Sequence, residues 1–167
     1  MRGISIIEVI IYVAVLVLVM GFTVNAILIM TRSLNTSNVN RNIIFAAETG
    51  LERMLREIRL ANSIDMAATV FNSHPGQLTL STTDLVSGAS TTIKFYLSAS
   101  TLMVREGLAA PQLLTSSTTK IANLIFRQVV GSSVSEAVKI ELEMQSGEGI
   151  LQKSEKFYGA AILKASY

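Results

Sequence analysis

Few residues in this 167-residue chain have the type and spacing to do chemistry, and the clearest candidate is a lone carboxylate at the head of an apolar run. Glu8 precedes Val9–Met30, where 19 of 22 residues are apolar and only Gly21, Thr23 and Asn25 interrupt. An acid at the centre of a membrane helix costs about 2.5–3.5 kcal/mol, and less near the end. Glu8 at the border can therefore rest in the headgroup layer at little cost. Two features give it a larger role. The positive end of the helix dipole lies there and stabilises a negative side chain. Position 4 stands one helical turn before position 8, so a free amine on residue 4 would sit beside the carboxylate. That amine exists only if the chain is cut after Gly3.

Other chemistry finds little support. Zero cysteines exclude disulfide frameworks, thiolate metal sites and cysteine nucleophiles. The one histidine, His74, stands beside Pro75 and Gly76, which makes it a turn residue and rules out a multi-histidine metal site. There is no Gly-rich phosphate loop after a strand, no HExxH and no G-x-S-x-G, so no catalytic residue and no cofactor is expected. Asp65, Asp84 and Glu106 are single spaced carboxylates, too few for an oxygen cage of about 6–8 ligands around calcium. Tyr96, Phe157, Tyr158 and Tyr167 are too scattered for a stacking platform, and a net charge of +2 without a basic cluster shows no nucleic-acid site.

The elements follow from periodicity. At about 1.5 Å per residue, Val9–Met30 makes a helix of roughly 33 Å, matching a hydrocarbon core of about 30 Å. The run is too long for a signal peptide, and no small-residue cleavage site follows it. Half the chain is apolar and 16% charged, too apolar for disorder; without Val9–Met30 the remainder has ordinary globular composition. Residues 35–42 are poor helix formers and predict a helix that is continuous there but locally fragile. After them Ile44, Ala47, Leu51, Met54, Leu55, Ile58 and Ala61 recur at helical spacing, with Glu52–Arg56 and Arg53–Glu57 as i,i+4 pairs on the polar side. From Gln77 the period becomes two. Strands are expected over Gln77–Thr82, Thr92–Leu97, Leu102–Arg105, Asn123–Val130, Val138–Met144 and Gln152–Tyr158, with a turn over Asp84–Ser90 and a long connection over Glu106–Thr119. Clean alternation means antiparallel strands with one wet face, and the Ile43–Ala61 stripe is the cover for the other face.

The run Arg2-Gly3-Ile4-Ser5-Ile6-Ile7-Glu8, followed by uncharged apolar sequence, resembles the N-terminus of type IV prepilins and of the pseudopilins of type II secretion. Position 4 carries Ile where Phe is usual, and the proline common in the membrane helix of major pilins is absent. Leu55–Ile64 resembles, more distantly, a segment of the larger minor pilins and J-type pseudopilins. The resemblance implies cleavage between Gly3 and Ile4, N-methylation of Ile4, and Glu8 as the filament-assembly carboxylate. It implies an α+β fold, a long N-terminal helix packed on an antiparallel sheet. The organisation expected is a leader at residues 1–3, a transmembrane assembly helix at 4–30, its amphipathic continuation at 31–62 and a sheet domain at 63–167.

On that footing the expected partners are other pilin or pseudopilin subunits, a prepilin peptidase/methyltransferase, an inner-membrane assembly platform, and membrane lipid before assembly. The expected location is the cytoplasmic membrane, single-pass with the globular domain outside the cytoplasm, and then the filament. The alternative is a single-pass anchored binding domain that does not polymerise; a plain anchor has no use for Gly3 or Glu8. An exported enzyme is the third reading, and the missing catalytic residues place it last. Secretion, motility, adhesion and DNA-uptake machines share this N-terminus, so it selects none of them.

Overall fold

The computed structural model describes residues 6–83, 88–116, 118–130, 136–149 and 152–164. By compactness the chain divides into two units, Met1–Asn38 and Val39–Tyr167. Helix α1 spans Ile6–Leu60 and runs through residues 35–42 without interruption, despite their poor propensity. Among the described residues eight strands follow: β1 (Ser63–Ile64), β2 (Leu78–Thr83), β3 (Ser90–Ser98), β4 (Thr101–Glu106), β5 (Gln112–Leu113), β6 (Thr119–Val130), β7 (Glu136–Ser146) and β8 (Lys153–Ile162). All pairings between them are antiparallel.

The α+β architecture read from the sequence is present, with the strands shared between two sheets, β1-β2-β3-β4-β5 and β6-β7-β8. Alternation behaves as expected where it was cleanest. On β7, Val138, Ile140, Leu142 and Met144 are buried, while Lys139, Glu141 and Glu143 are turned outward. On β3, Ile93 and Phe95 are buried. The strand expected at Asn123 begins earlier, at Thr119, because the ladder shifts register between Ile121 and Asn123. Buried positions fall at Thr119 and Ile121 before the shift and at Leu124 and Phe126 after it. A bulge of this kind breaks the period of two, so the first residues do not read as strand. Strand β5 lies inside the segment expected to be a plain connection.

Within the Val39–Tyr167 unit, one face of α1 covers the sheets. Ile43, Ala46, Ala47, Gly50, Met54, Ile58 and, just past the helix, Ala61 are buried against Leu78, Leu80, Phe95, Leu102, Leu124, Phe126 and Ile140. Burying each large aliphatic or aromatic side chain contributes about 1.5–3 kcal/mol relative to exposure. The face is rotated slightly from the expected stripe: Ile44, Leu51 and Leu55 sit on its half-buried flank, and Ile43, Gly50 and Glu57 take central places.

Backbone hydrogen bonds fasten the chain around the start of β4, and the one from Ile121 of β6 links the two sheets. Leu114 N–H donates to Leu102 O at 2.9 Å, and Ile121 N–H donates to Ser100 O at 2.7 Å. Leu102 N–H is taken by the buried Thr115 hydroxyl at 3.1 Å. A second clamp holds β6. Asn72 N–H donates to Phe126 O and Gly76 N–H to Leu124 O, both at 2.9 Å, and Leu124 N–H donates to His74 Nδ1 at 3.1 Å.

The β3–β4 hairpin turns on two residues, Ala99 (φ 47°) and Ser100 (φ 65°), between the paired Ser98 and Thr101. Positive φ at both central positions is the type I′ geometry, which favours Asn-Gly. A side chain there is strained, and relief net of the added freedom of the unfolded chain is about 0.5–1 kcal/mol. Ser100→Gly is therefore expected to raise the midpoint of a thermal melt by about 2–4 °C. A midpoint unchanged or lowered would contradict the strain.

Candidate functional site

The candidate site is the N-terminal part of α1. Glu8 lies in its first turn, exposed, where unsatisfied N–H groups make the helix end positive. Tyr12, one turn on, donates its hydroxyl to Glu8 Oε1 at 3.3 Å. The sequence reading missed this contact, although the i,i+4 spacing was there to be seen. Gly3 and Ile4, the expected cleavage and methylation positions, lie outside the described residues.

Beyond Glu8 the helix presents apolar side chains outward on every side. Within Ile6–Asn38 no residue is buried, and Ile10, Leu16, Met20, Phe22 and Ile29 are each more than half exposed. Exposed apolar surface on this scale exceeds the few hundred Å² found on soluble monomers, so it requires a lipid or protein surrounding. The helix is long and apolar enough to cross a membrane. Its threonines suit such a medium: Thr23 donates to Val19 O at 2.8 Å and Thr31 to Ile27 O at 2.9 Å, so each hydroxyl is satisfied by its own helix. The side-chain carboxamide of Asn25, between them, makes no hydrogen bond among the described residues.

In the Val39–Tyr167 unit the titratable groups hold one another. Glu52–Arg56 forms as expected, at 3.3 Å on the exposed side. Arg53–Glu57 also forms, at 3.0 Å, but the placement of Glu57 on the polar side is corrected: it is buried. The guanidinium makes that burial tolerable, and it reaches on to Glu106 at 2.6 Å. The two acids thus share one arginine. Asp65 Oδ1 accepts from the N–H groups of Ala67 and Ala68, an Asx turn. His74 serves β6 as an acceptor, and its expected place in a turn-rich loop is correct. Asp84 and Tyr167 lie outside the described residues. No cluster of three or more His, Cys, Asp or Glu side chains suited to a metal occurs among the described residues.

On the wet face of β6 and β7, Arg127 donates twice to Glu141, at 2.9 and 3.1 Å, and Lys139 donates to the same carboxylate at 2.9 Å. These hydrogen bonds hold the Glu141 carboxyl down at about 2 and push the Arg127 guanidinium up. The stability from this cluster is fully present above the ordinary carboxylate range and lost as pH falls through about 2. It is a solvated charge network with no unpaired partner for substrate.

The arrangement thus concentrates its unsatisfied surface on the N-terminal helix: an acid at one end, an apolar run without cover, and one amide without a partner. No family model matches the chain, and no curated protein or solved structure matches it either.

Proposed function

We propose that this chain is a minor pilin or pseudopilin, a structural subunit that waits in the cytoplasmic membrane and is then drawn into a filament through its N-terminal helix. The observation that carries the reading is Glu8 at the head of an apolar helix whose residues from Ile6 to Asn38 are all exposed among the described residues. The preceding Arg2-Gly3-Ile4-Ser5-Ile6-Ile7 supplies the motif that makes such an acid useful. The expected α+β architecture, with antiparallel sheets under the later part of the helix, agrees with it.

In this reading a prepilin peptidase cuts after Gly3 and methylates Ile4. The cut removes the Arg2 charge and exposes an amine. In a packed bundle Glu8 pairs with the Ile4 amine of a neighbouring subunit. The low dielectric makes an unpaired carboxylate costly, so the pair selects register as much as it adds strength. Val9–Met30 supplies the packing, first against lipid and later against other subunits, and the sheet domain lies outside the cytoplasm. The partners are the other subunits, the peptidase/methyltransferase and the inner-membrane platform that drives assembly.

Mass spectrometry of the mature N-terminus in the native cell tests this directly. A chain beginning at methylated Ile4 is the expected result. A chain retaining Met1 overturns the reading and leaves a single-pass anchored domain.

A further inference from the structure

We infer that two copies of this chain pair side by side in the membrane along a seam centred on Gly21 and Asn25. The inference rests on the membrane span of the reading above and not on the filament. Asn25 falls about 8 Å from the middle of Val9–Met30, within the roughly 15 Å half-thickness of a hydrocarbon core. There water cannot satisfy a carboxamide, and the helix does not do so either: Thr23 and Thr31 bond back to their own backbone while Asn25 has no partner among the described residues. A polar side chain in this position drives helix association.

Gly21 is one turn earlier on the same face. A glycine inside a helix costs roughly 1 kcal/mol relative to alanine, and nothing in its own chain needs it, since no atom lies within 4 Å of where a Cβ would be. Its use is to let a second backbone come close. Ala14, Leu18, Gly21, Asn25 and Leu28 alternate in steps of four and three, the spacing of a coiled-coil seam. The occupant is a second copy for two reasons. A carboxamide both donates and accepts, so Asn25 is its own complement. Copies of one chain enter the membrane in one orientation, which puts both Asn25 side chains at the same depth. Glu8 lies about 100° away around the helix, so its contact and this one use different flanks.

The test uses the full chain, which has no native cysteine, in phosphatidylcholine liposomes with single cysteines introduced for oxidative cross-linking. Leu18→Cys and Leu28→Cys on the seam are expected to give disulfide dimers, and Leu16→Cys on the opposite side is not. Adding Asn25→Leu should weaken dimerisation about threefold to thirtyfold, with Asn25→Gln restoring part of it. Asn25→Leu makes the span more apolar, so membrane insertion is not at stake. Equal cross-linking at Leu16→Cys, no dimer at all, no effect of Asn25→Leu, or dimers only when other membrane proteins are present would each overturn the pairing. Glu8→Ala separates the two ideas: it should leave the seam cross-links unchanged whatever it does to filaments.

Discussion

Glu8→Ala is expected to leave the chain processed and inserted in the membrane but absent from sheared filaments. Among the described residues Glu8 is exposed at the helix end and bonded to Tyr12 alone, so its removal is expected to leave the helix itself intact. In a packed bundle the same change strands the Ile4 amine of a neighbour in a low dielectric. Removing one partner of a buried ion pair costs about 3–5 kcal/mol, which corresponds to roughly a 100- to 4000-fold loss of incorporation. Glu8→Gln keeps the shape and an acceptor for Tyr12 while removing the charge, and should fail almost as badly. Tyr12→Phe removes only a 3.3 Å hydrogen bond and should assemble nearly normally. Blotting the sheared and membrane fractions reads all three. Normal incorporation of Glu8→Ala would end the assembly role.

Gly76→Val should destabilise the folded unit severely. A Cβ at Gly76 would lie 2.9 Å from Leu124 O and 3.0 Å from Phe126 Cδ2. The carbonyl belongs to β6 and cannot retreat without straining the β6–β7 ladder, and Phe126 is fully buried. The segment from Asn72 to Gly76 must therefore lift away. It takes with it three hydrogen bonds to β6, those of Asn72, His74 and Gly76. At about 1 kcal/mol each, with the cost of overpacking beside Phe126 added, the loss is about 3–5 kcal/mol. A thermal melt followed by circular dichroism should show the midpoint of the folded unit falling by about 10 °C or more. His74→Ala, which leaves Leu124 N–H without its acceptor, should fall by less. A Gly76→Val melt within about 2 °C of the parent would show that the clamp contributes nothing.

What could be read from residues in order was set by local periodicity. The amphipathic helix and the inward positions of β3 and β7 repeat every 3.6 or two residues; the strands bury the positions that the repeat names, and the helix buries a face rotated slightly from its own. What could not be read depends on distant partners. The His74 imidazole meets Leu124 across 50 residues, and no neighbour of either signals the contact. Leu114 and Thr115 fasten to Leu102 in a stretch whose composition reads as loop, and the link between the two sheets, Ile121 to Ser100, is a contact across 21 residues. Glu57 reads as a surface acid because its spacing from Arg53 is that of an exposed pair, yet it stands on the buried face of α1 with Met54 and Ile58, and the arginine that holds it also reaches Glu106, far along the chain. At the candidate site the acid, the glycine before it and the apolar run were legible as residues. Tyr12 was overlooked because tyrosine in an apolar run counts as one more apolar residue until its hydroxyl is given a destination.

The inward-turned hydroxyls of Thr23 and Thr31 bear on how such a helix changes surroundings. With its oxygen committed to the backbone one turn below, a threonine shows its neighbours little more than the outline of a valine. Passage from oil into a protein bundle, or back, then requires no rearrangement of these groups, and neither medium is favoured by them. Asn25, whose carboxamide does not bond back among the described residues, is the group between them for which the two media differ.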